Sequence, residues 1–544
     1  MTKPKPSKKP DNHIWLFDTT LRDGAQARGI DFSVSDKIAI ARALDELGID
    51  YIEGGWPGAN PTDDDFFAEF PPLQHAKSVA FGMTRRAGRS PDNDPGLVAV
   101  VNAKTDVTCL VGKTWDFHVD LLGVTLDENL KMIRESLALA KKKTREPHFD
   151  CEHFFDGFKA NKDYALKCVE AALAGSAEWV ILCDTNGGCM PDEIYDIVRE
   201  TATTFPQARL GIHTHNDTGL AVANTLAAIE AGARQVQATI NGIGERCGNA
   251  NLITLIPNLM LKKNYTTNVK KAGLANLRKL SRMLDGRINR LPDAHAPYVG
   301  DSAFAHKGGL HAAAAVKDPA SYEHIDPVQV GNSRQYVVSD QAGKASFIAR
   351  LKQLGTAIDP DDKRLPALIA EVKELEYRGY AYDIAEASLE LMVAGRLASV
   401  PEYFTIGRFR VMDERRFNAR GDLVVESEAT ASVNVGKTAF HEAAVGNGPV
   451  NAVDTAIRKA LVTAYPQLGD VALVDYKVRI LSNDDGGRGT ESVTRVLIEC
   501  QDGEGKHWTS VGVSTNIIDA SVMALTDAMR WKLYKTKATP KIGW

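Results

Sequence analysis

Short apolar runs recur through the first half of the chain, each ending in a polar cluster, and the stretches between them carry apolar residues at helical spacing. The runs cover residues 14–20, 51–57, 78–83, 107–112, 149–155, 179–185, 209–215 and 236–241. Between them, Ile38, Ala39, Ala41, Leu44 and Leu47 mark one amphipathic helix, and Leu220, Ala223, Leu226, Ala227 and Ile229 another. Eight such strands alternating with helices within roughly 270 residues predict a TIM (β/α)8 barrel, whose usual size is about 250 residues. An open doubly wound sheet has the same alternation. Its dinucleotide-binding form would need a GxGxxG turn after the first strand, and none follows residues 14–20.

Beyond the barrel the pattern changes twice. Residues 286–399 read as polar helical linker subdomains, with charged stretches such as Glu371-Val-Lys-Glu-Leu-Glu-Tyr-Arg378. From about residue 400 strand-like alternation takes over and repeats itself. Asn451-Ala-Val-Asp454 follows a small-residue loop containing Gly448, and Asn516-Ile-Ile-Asp519 follows another containing Ser514. Each copy predicts strands, a loop and then a helix opened by Asn or Asp, over 456–464 and 520–533. That arrangement would gather free backbone N–H groups and capping side chains into a site for a carboxylate, although plain helix capping explains either copy alone. The expected division is a disordered tail over 1–12, a barrel over 13–285, linker subdomains over 286–399 and a terminal α+β regulatory domain over 400–544.

Composition narrows the function. Of 544 residues, 44% are hydrophobic and 25% charged, with a net charge of -5. This is an ordinary globular balance, with no general attraction for nucleic acid or anionic lipid. The seven cysteines form no CxxC pair and read as reduced core thiols. No apolar run is long enough to span a bilayer, and the basic, proline-rich start lacks an apolar stretch behind it, so a cytoplasmic location is expected.

The ends of the predicted strands carry the chemistry. They supply Asp18, Arg22 and Asp23 on the first, Glu53 on the second, Lys113 on the fourth, Glu152 and His153 on the fifth, Asp184 and Thr185 on the sixth, His213 and His215 on the seventh, and Asn241 to Asn249 after the eighth. A barrel brings such ends together on one face. His213 and His215 lie two apart in a strand, so their imidazoles share a side and could bind a divalent ion if oxygen donors arrive from elsewhere. An acid, an arginine and two imidazoles on one face describe an enzyme site.

At these residues the chain resembles the family of 2-isopropylmalate, homocitrate and citramalate synthases, which condense acetyl-CoA with a 2-oxo acid. The resemblance rests on Asp18-Thr-Thr-Leu-Arg-Asp-Gly-Ala-Gln26, His213-Thr-His-Asn-Asp-Thr-Gly-Leu-Ala-Val-Ala-Asn224, Asn241-Gly-Ile-Gly-Glu-Arg-Cys-Gly-Asn249 and Ala303-Phe-Ala-His-Lys-Gly-Gly-Leu-His311. The segments Glu53-Gly-Gly-Trp-Pro-Gly-Ala-Asn-Pro61, Glu152-His-Phe-Phe-Asp-Gly-Phe-Lys159 and Cys183-Asp-Thr-Asn-Gly-Gly188 look most like the citramalate branch, and Asn186-Gly187 departs from the isopropylmalate pattern.

The resemblance implies Asp23, His213, His215 and Asn249 as ligands of a divalent metal, Mg2+, Mn2+ or Zn2+. It implies Thr185 as a carboxylate-binding hydroxyl, with Gln26 and Glu53 on the substrate side, and His311 and Tyr322 as residues reaching into a neighbouring subunit's site. Arg22 could donate to the ketone oxygen, and Glu152 or His311 could take the proton from the acetyl group. The resemblance further implies a homodimer whose terminal domain senses the pathway's end product, isoleucine in the citramalate branch, with Gly448, Asn451, Asp454, Ser514, Asn516 and Asp519 as the effector-binding positions. The expected activity is condensation with pyruvate to give (R)-citramalate and CoA in isoleucine biosynthesis. A 2-isopropylmalate or homocitrate synthase, a related carbon–carbon lyase and a non-catalytic amino-acid sensor are the alternatives.

Overall fold

The computed structural model describes residues 12–337, 343–356, 358–397, 400–481 and 492–541. All but the last residue of the expected disordered tail lies outside them. Two compact units emerge, one of residues 1–304 with 325–333 and one of 305–324 with 334–544.

The first unit is built on a closed parallel barrel of eight strands in sequence order. These are β1 (Trp15–Asp18), β2 (Tyr51–Glu53), β3 (Lys77–Met83), β4 (Val107–Lys113), β5 (Glu146–Glu152), β6 (Trp179–Asp184), β7 (Leu210–Thr214) and β8 (Gln235–Ala238). Closure between β1 and β8 runs through Trp15 to Asp18 paired with Gln235 to Ala238. The strands are buried on both faces, which is why they read as nearly continuous apolar runs. The helix Val34–Leu47 shows how sharply the joins are punctuated. Ser33 and Asp36 form a reciprocal capping box at its start, and Gly48 ends it with φ 97°.

One expected strand was misplaced. The run at 149–155 is split, with β5 beginning at Glu146 and ending at Glu152. Phe154–Ala160 is a helix, because His153 turns the chain through a left-handed backbone (φ 57°). Phe154, Phe155 and Phe158 then bury one face of that helix, so the apolar run that suggested a strand was serving two elements.

After the helix that ends at Arg287, helices within the 286–399 stretch begin at residue 309. Helices cover Gly309–Lys317, Lys344–Gln353, Leu365–Tyr377 and Glu386–Leu397, whereas 288–304, which holds Pro292, Pro297 and Gly300, contains no helix. The helices from 344 to 397 share a unit with the terminal sheets, since Leu389 and Val393 join Val511 in one apolar cluster. The terminal repeat is clear. Strands Thr405–Phe417, Leu423–Val435 and Thr438–Gly446 form an antiparallel sheet followed by helix Pro449–Ala464, and strands Ala472–Ile480, Thr494–Gln501 and His507–Ser514 form a second followed by helix Ile517–Lys535. Both helices start earlier than the sequence suggested.

Candidate active site

Asp23, His213 and His215 meet at the carboxyl end of the barrel, each offering a ligand atom within 4.8 Å of the others. β7 delivers His213, the position just past its end delivers His215, and the 3-10 turn after β1 delivers Asp23. His213 Nε2 lies 3.2 Å from His215 Nε2 and 3.2 Å from Asp23 Oδ2, and His215 Nε2 lies 3.9 Å from the same oxygen. Ligand atoms around a divalent ion bonded at about 2.1 Å are separated by about 3 Å, so this spacing suits one. All three residues are buried, and Asp23 Oδ1 has no hydrogen-bond partner among the described residues. Burial opposes the charge on Asp23, but Arg22 and the His213 hydrogen bond outweigh it and hold the carboxyl well below its usual range. His215 is pushed down to about 4, by burial first and then by its neighbour His213. The donors are therefore an ionised carboxylate and two imidazoles with Nε2 turned toward it. Burial opposes charge on His213, but the hydrogen bond and charge of Asp23 outweigh it and raise its pKa, so a cation would take the place of a proton there.

Asn249 joins this group through its backbone. His215 and Asn249 form an isolated antiparallel bridge, and the buried Asn249 donates Nδ2–H to Ile243 O at 3.2 Å, leaving Oδ1 without a partner among the described residues. The loop that places it needs glycine at two points. A Cβ on Gly248 (φ 91°) would meet Gly242 O at 2.0 Å, and one on Gly244 (φ 159°) would meet Asn249 Nδ2 at 2.1 Å.

Arg22 is held from three sides. Its Nε donates to Glu53 Oε2 at 2.7 Å, its Nη1 lies 3.6 Å from Asp23 Oδ2, and its guanidinium sits 3.9 Å above the centre of the Phe81 ring. Burial works against its charge, and Glu53 and Asp23 more than restore it. Glu53 itself is fully buried, accepting also from the Thr19 hydroxyl. The expectation that Glu53 contacts substrate is not met by this geometry: Glu53 does not line the cavity, its Oε2 accepts from Arg22 and Thr19, and its Oε1 is buried without a hydrogen-bond partner among the described residues.

That cavity, of about 280 Å3, is lined by Arg22, Asp23, Gln26, Thr185, His213 and His215 on its polar side and by Trp56, Phe81, Met83, Val111 and Cys183 on its apolar side. Thr185 Oγ1 accepts from the His153 backbone N–H at 2.9 Å, which leaves the hydroxyl proton free to donate. Glu152 also lines the cavity, paired with Lys113. Arg246 closes one edge, clamped on Asp217 by bonds of 2.8 and 3.0 Å and donating to Thr185 O at 2.7 Å.

The other candidates lie in the second unit. His311 and Tyr322 stack on each other with ring centres 4.2 Å apart. The terminal repeat is less symmetrical than its sequence. Helix Pro449–Ala464 starts at Gly448, so Asn451 is inside its first turn and accepts from the Asn447 N–H at 3.1 Å, while Asp454 is locked to Arg458 at 2.8 Å. In the second copy Asn516 is the N-cap and accepts from the N–H groups of Ile518 and Asp519 at 2.8 and 3.2 Å, and Ser514 Oγ accepts from Asn516 N–H at 3.1 Å. The free N–H groups expected at both helix starts are thus taken up by the chain's own side chains in the second copy, and neither Asn451 nor Asp454 caps the first.

Sequence reasoning overlooked three buried residues, of which Asp150 lines the cavity. Asp150 precedes Glu152 by two on β5, Gln237 sits on β8 opposite His213, and Cys109 groups with Glu53 and Asp150. The available signal was polar residues at alternate positions inside otherwise apolar strands. Of the seven cysteines only Cys247 is exposed, in keeping with core thiols for the rest.

Comparison with known proteins covers nearly the whole chain. The HMGL-like family model matches residues 13–283, the homocitrate synthase post-HMGL domain-like model matches 298–379, and the LeuA allosteric (dimerisation) domain model matches 383–533. A protein of Aquifex aeolicus described as (R)-citramalate synthase is 48% identical over 96% of this chain and 98% of its own. One of Geobacter sulfurreducens with the same description is 49% identical over 96% and 98%. A probable 2-isopropylmalate synthase of Methanopyrus kandleri is 32% identical over 95% and 97%.

Proposed function

The chain belongs to the (R)-citramalate synthases, and we propose, from that premise and the site geometry, that it joins acetyl-CoA to pyruvate, giving (R)-citramalate and free CoA. The observation that carries the reading is the single cavity in which an Asp23–His213–His215 cluster and the Arg22 guanidinium face a short apolar wall.

A divalent metal held by Asp23, His213, His215 and Asn249 would chelate and polarise the 2-oxo acid. The chain's own residues do the rest. Thr185, with its proton free, donates to the substrate carboxylate. Arg22 donates to the ketone oxygen and stabilises the charge that gathers there as the new carbon–carbon bond forms. Glu152, with His311 supplied by a second copy of the chain, takes the proton from the acetyl methyl group, and Tyr322 accompanies His311. The resulting thioester is hydrolysed, releasing CoA and making the reaction irreversible.

The wall of Trp56, Phe81, Met83, Val111 and Cys183 faces the group beside the ketone. Trp56 and Phe81 pack edge to face with centres 5.6 Å apart, and Phe81 is also the platform for Arg22. A methyl group is expected to fit and an isopropyl group to crowd the wall. One methylene in an apolar pocket is worth about 1–3 kcal/mol, so kcat/KM should favour pyruvate over 2-oxoisovalerate by roughly 10- to 200-fold per methylene. Thiol release measured with a panel of 2-oxo acids tests this. A higher kcat/KM for 2-oxoisovalerate would instead favour an isopropylmalate synthase.

The residues from about 400 onward serve as a regulatory and dimerising domain, with isoleucine as the effector. The match to an allosteric domain model and the repeated sheet-and-helix units support this reading. The Gly448 end is the better candidate for the effector carboxylate, because the helix there starts without a side-chain cap. Isoleucine is expected to weaken substrate binding or turnover through a coupling of about 1–3 kcal/mol, or 5- to 150-fold. Calorimetry on the full chain and inhibition assays on Gly448→Glu, which sets a like charge at that position, check the proposal. Absent isoleucine binding, or undiminished inhibition of the variant, would leave the repeat as a dimerisation device.

A further inference from the structure

Gln237 makes two buried contacts that together dictate the tautomer of His213. Its Nε2 donates to Asp150 Oδ1 at 2.9 Å, and its Oε1 lies 2.8 Å from His213 Nδ1. Neighbouring strands place Gln237 opposite His213, while Asp150 reaches it from β5, which is not adjacent to β8, so the contact crosses the barrel interior. All three side chains are buried, with Gln237 1% exposed and Asp150 3%, so water does not compete for these bonds.

An ionised carboxylate only accepts, so Asp150 compels Gln237 to turn its NH2 group inward and its carbonyl oxygen toward His213. A carbonyl oxygen also only accepts, so His213 must carry its hydrogen on Nδ1. The other nitrogen, Nε2, faces Asp23 and His215 at 3.2 Å each, and it is the atom that gives up its hydrogen when a cation takes its place. We propose that Asp150 and Gln237 form a positioning relay that presents His213 to the metal as an Nε2 ligand, and that metal affinity depends on it. The proposal rests on the reading of Asp23, His213 and His215 as metal ligands.

Groups that orient metal-binding histidines in this way are worth about 10- to 100-fold in affinity. Gln237→Leu, of similar size and unable to bond, should therefore weaken Mn2+ binding to the full-length protein by roughly 10- to 100-fold in titration calorimetry, along with a lowered melting temperature from the buried groups it leaves unpaired. The double exchange Asp150→Asn with Gln237→Glu conserves charge and reverses the polarity between the two. The amide at 150 then donates and the carboxylate at 237 still accepts from His213, so affinity should return to within a few-fold of the wild type. A merely structural role would not produce that rescue.

The wild type loaded with Zn2+ gives a reading that needs no variant. With the ion on one imidazole nitrogen, nitrogen-15 spectra should show His213 protonated on Nδ1. Wild-type protein that binds no Mn2+ would defeat the metal reading itself. Wild-type binding with an unweakened Gln237→Leu variant, failure of the double exchange to restore a lost affinity, or His213 protonated on Nε2 would overturn the relay.

Discussion

Alanine at His213 is expected to reduce kcat/KM for citramalate formation by at least about 10³-fold while leaving the fold intact. A bound divalent ion stabilises transition-state charge by several kcal/mol, and each 1.36 kcal/mol is about tenfold in rate. His213 is central to the cluster, lying 3.2 Å from both Asp23 Oδ2 and His215 Nε2 and anchored behind by Gln237. Its loss removes a ligand and leaves Asp23 with Arg22 as its main counter-charge. Asp23→Ala should be as severe, because it removes the anionic donor and also frees Arg22 from one of its two acids. The measurements are steady-state kinetics with acetyl-CoA and pyruvate, metal content of the purified protein and far-ultraviolet circular dichroism. Either variant retaining near-normal turnover with stoichiometric metal would mean that the cluster is not the site of catalysis.

The barrel was legible because its strands are short and buried on both faces. Run 179–185 overshoots β6 (Trp179–Asp184) by one residue at its end, and run 209–215 overshoots β7 (Leu210–Thr214) by one residue at each end. Periodicity failed where one apolar run served two elements, as at Phe154 and Phe155, and only the left-handed backbone of His153 separates strand from helix there. The terminal helix starts were misjudged for a different reason. Pro449 directly after Gly448 is a strong start signal, but Asn451 and Asp454 drew attention as caps, and the structure spends them on Asn447 and Arg458 instead. Packing of the helices between 344 and 397 with the terminal sheets depends on contacts far apart in sequence, such as Val393 with Val511, which no local pattern reveals.

The site was legible at the strand ends and hidden inside the strands. Asp23, His213, His215 and Thr185 stand at strand ends, where polar residues are conspicuous, and the cavity collects all four. Asp150 and Gln237 lie inside apolar strands, where a single polar residue reads as an exception to the core. Burial pushes Asp150 up to about 6, with the charge of Glu53 adding to it, yet the Gln237 amide still bonds to it. Glu53 shows the converse. It stands at a strand end like the others, and it is turned inward by Arg22 and Thr19, which no spacing rule foretells.

Arg22 gives the second large effect, and Arg22→Lys is the informative change because it keeps the charge. The guanidinium does several things at once that one ammonium group cannot. Its Nε holds Glu53, its plane lies on Phe81, and the remaining N–H groups face Asp23 and the cavity. Lysine would be drawn to the fully buried Glu53, and its charge would be withdrawn from the ketone oxygen. Losing one preorganised donor to a developing oxyanion costs about 10²–10³ in rate. The expected result is therefore a kcat lowered by about 10²–10³-fold with pyruvate KM changed much less, since the interaction lost is one made chiefly as charge develops. Metal affinity, measured by calorimetry on the same variant, should change little, because none of the four ligand side chains is altered. If kcat were retained and KM rose instead, Arg22 would be binding the ground state of the 2-oxo acid, and the oxyanion role would pass to another donor lining the cavity, with Lys113 and Thr185 the nearest in chemistry.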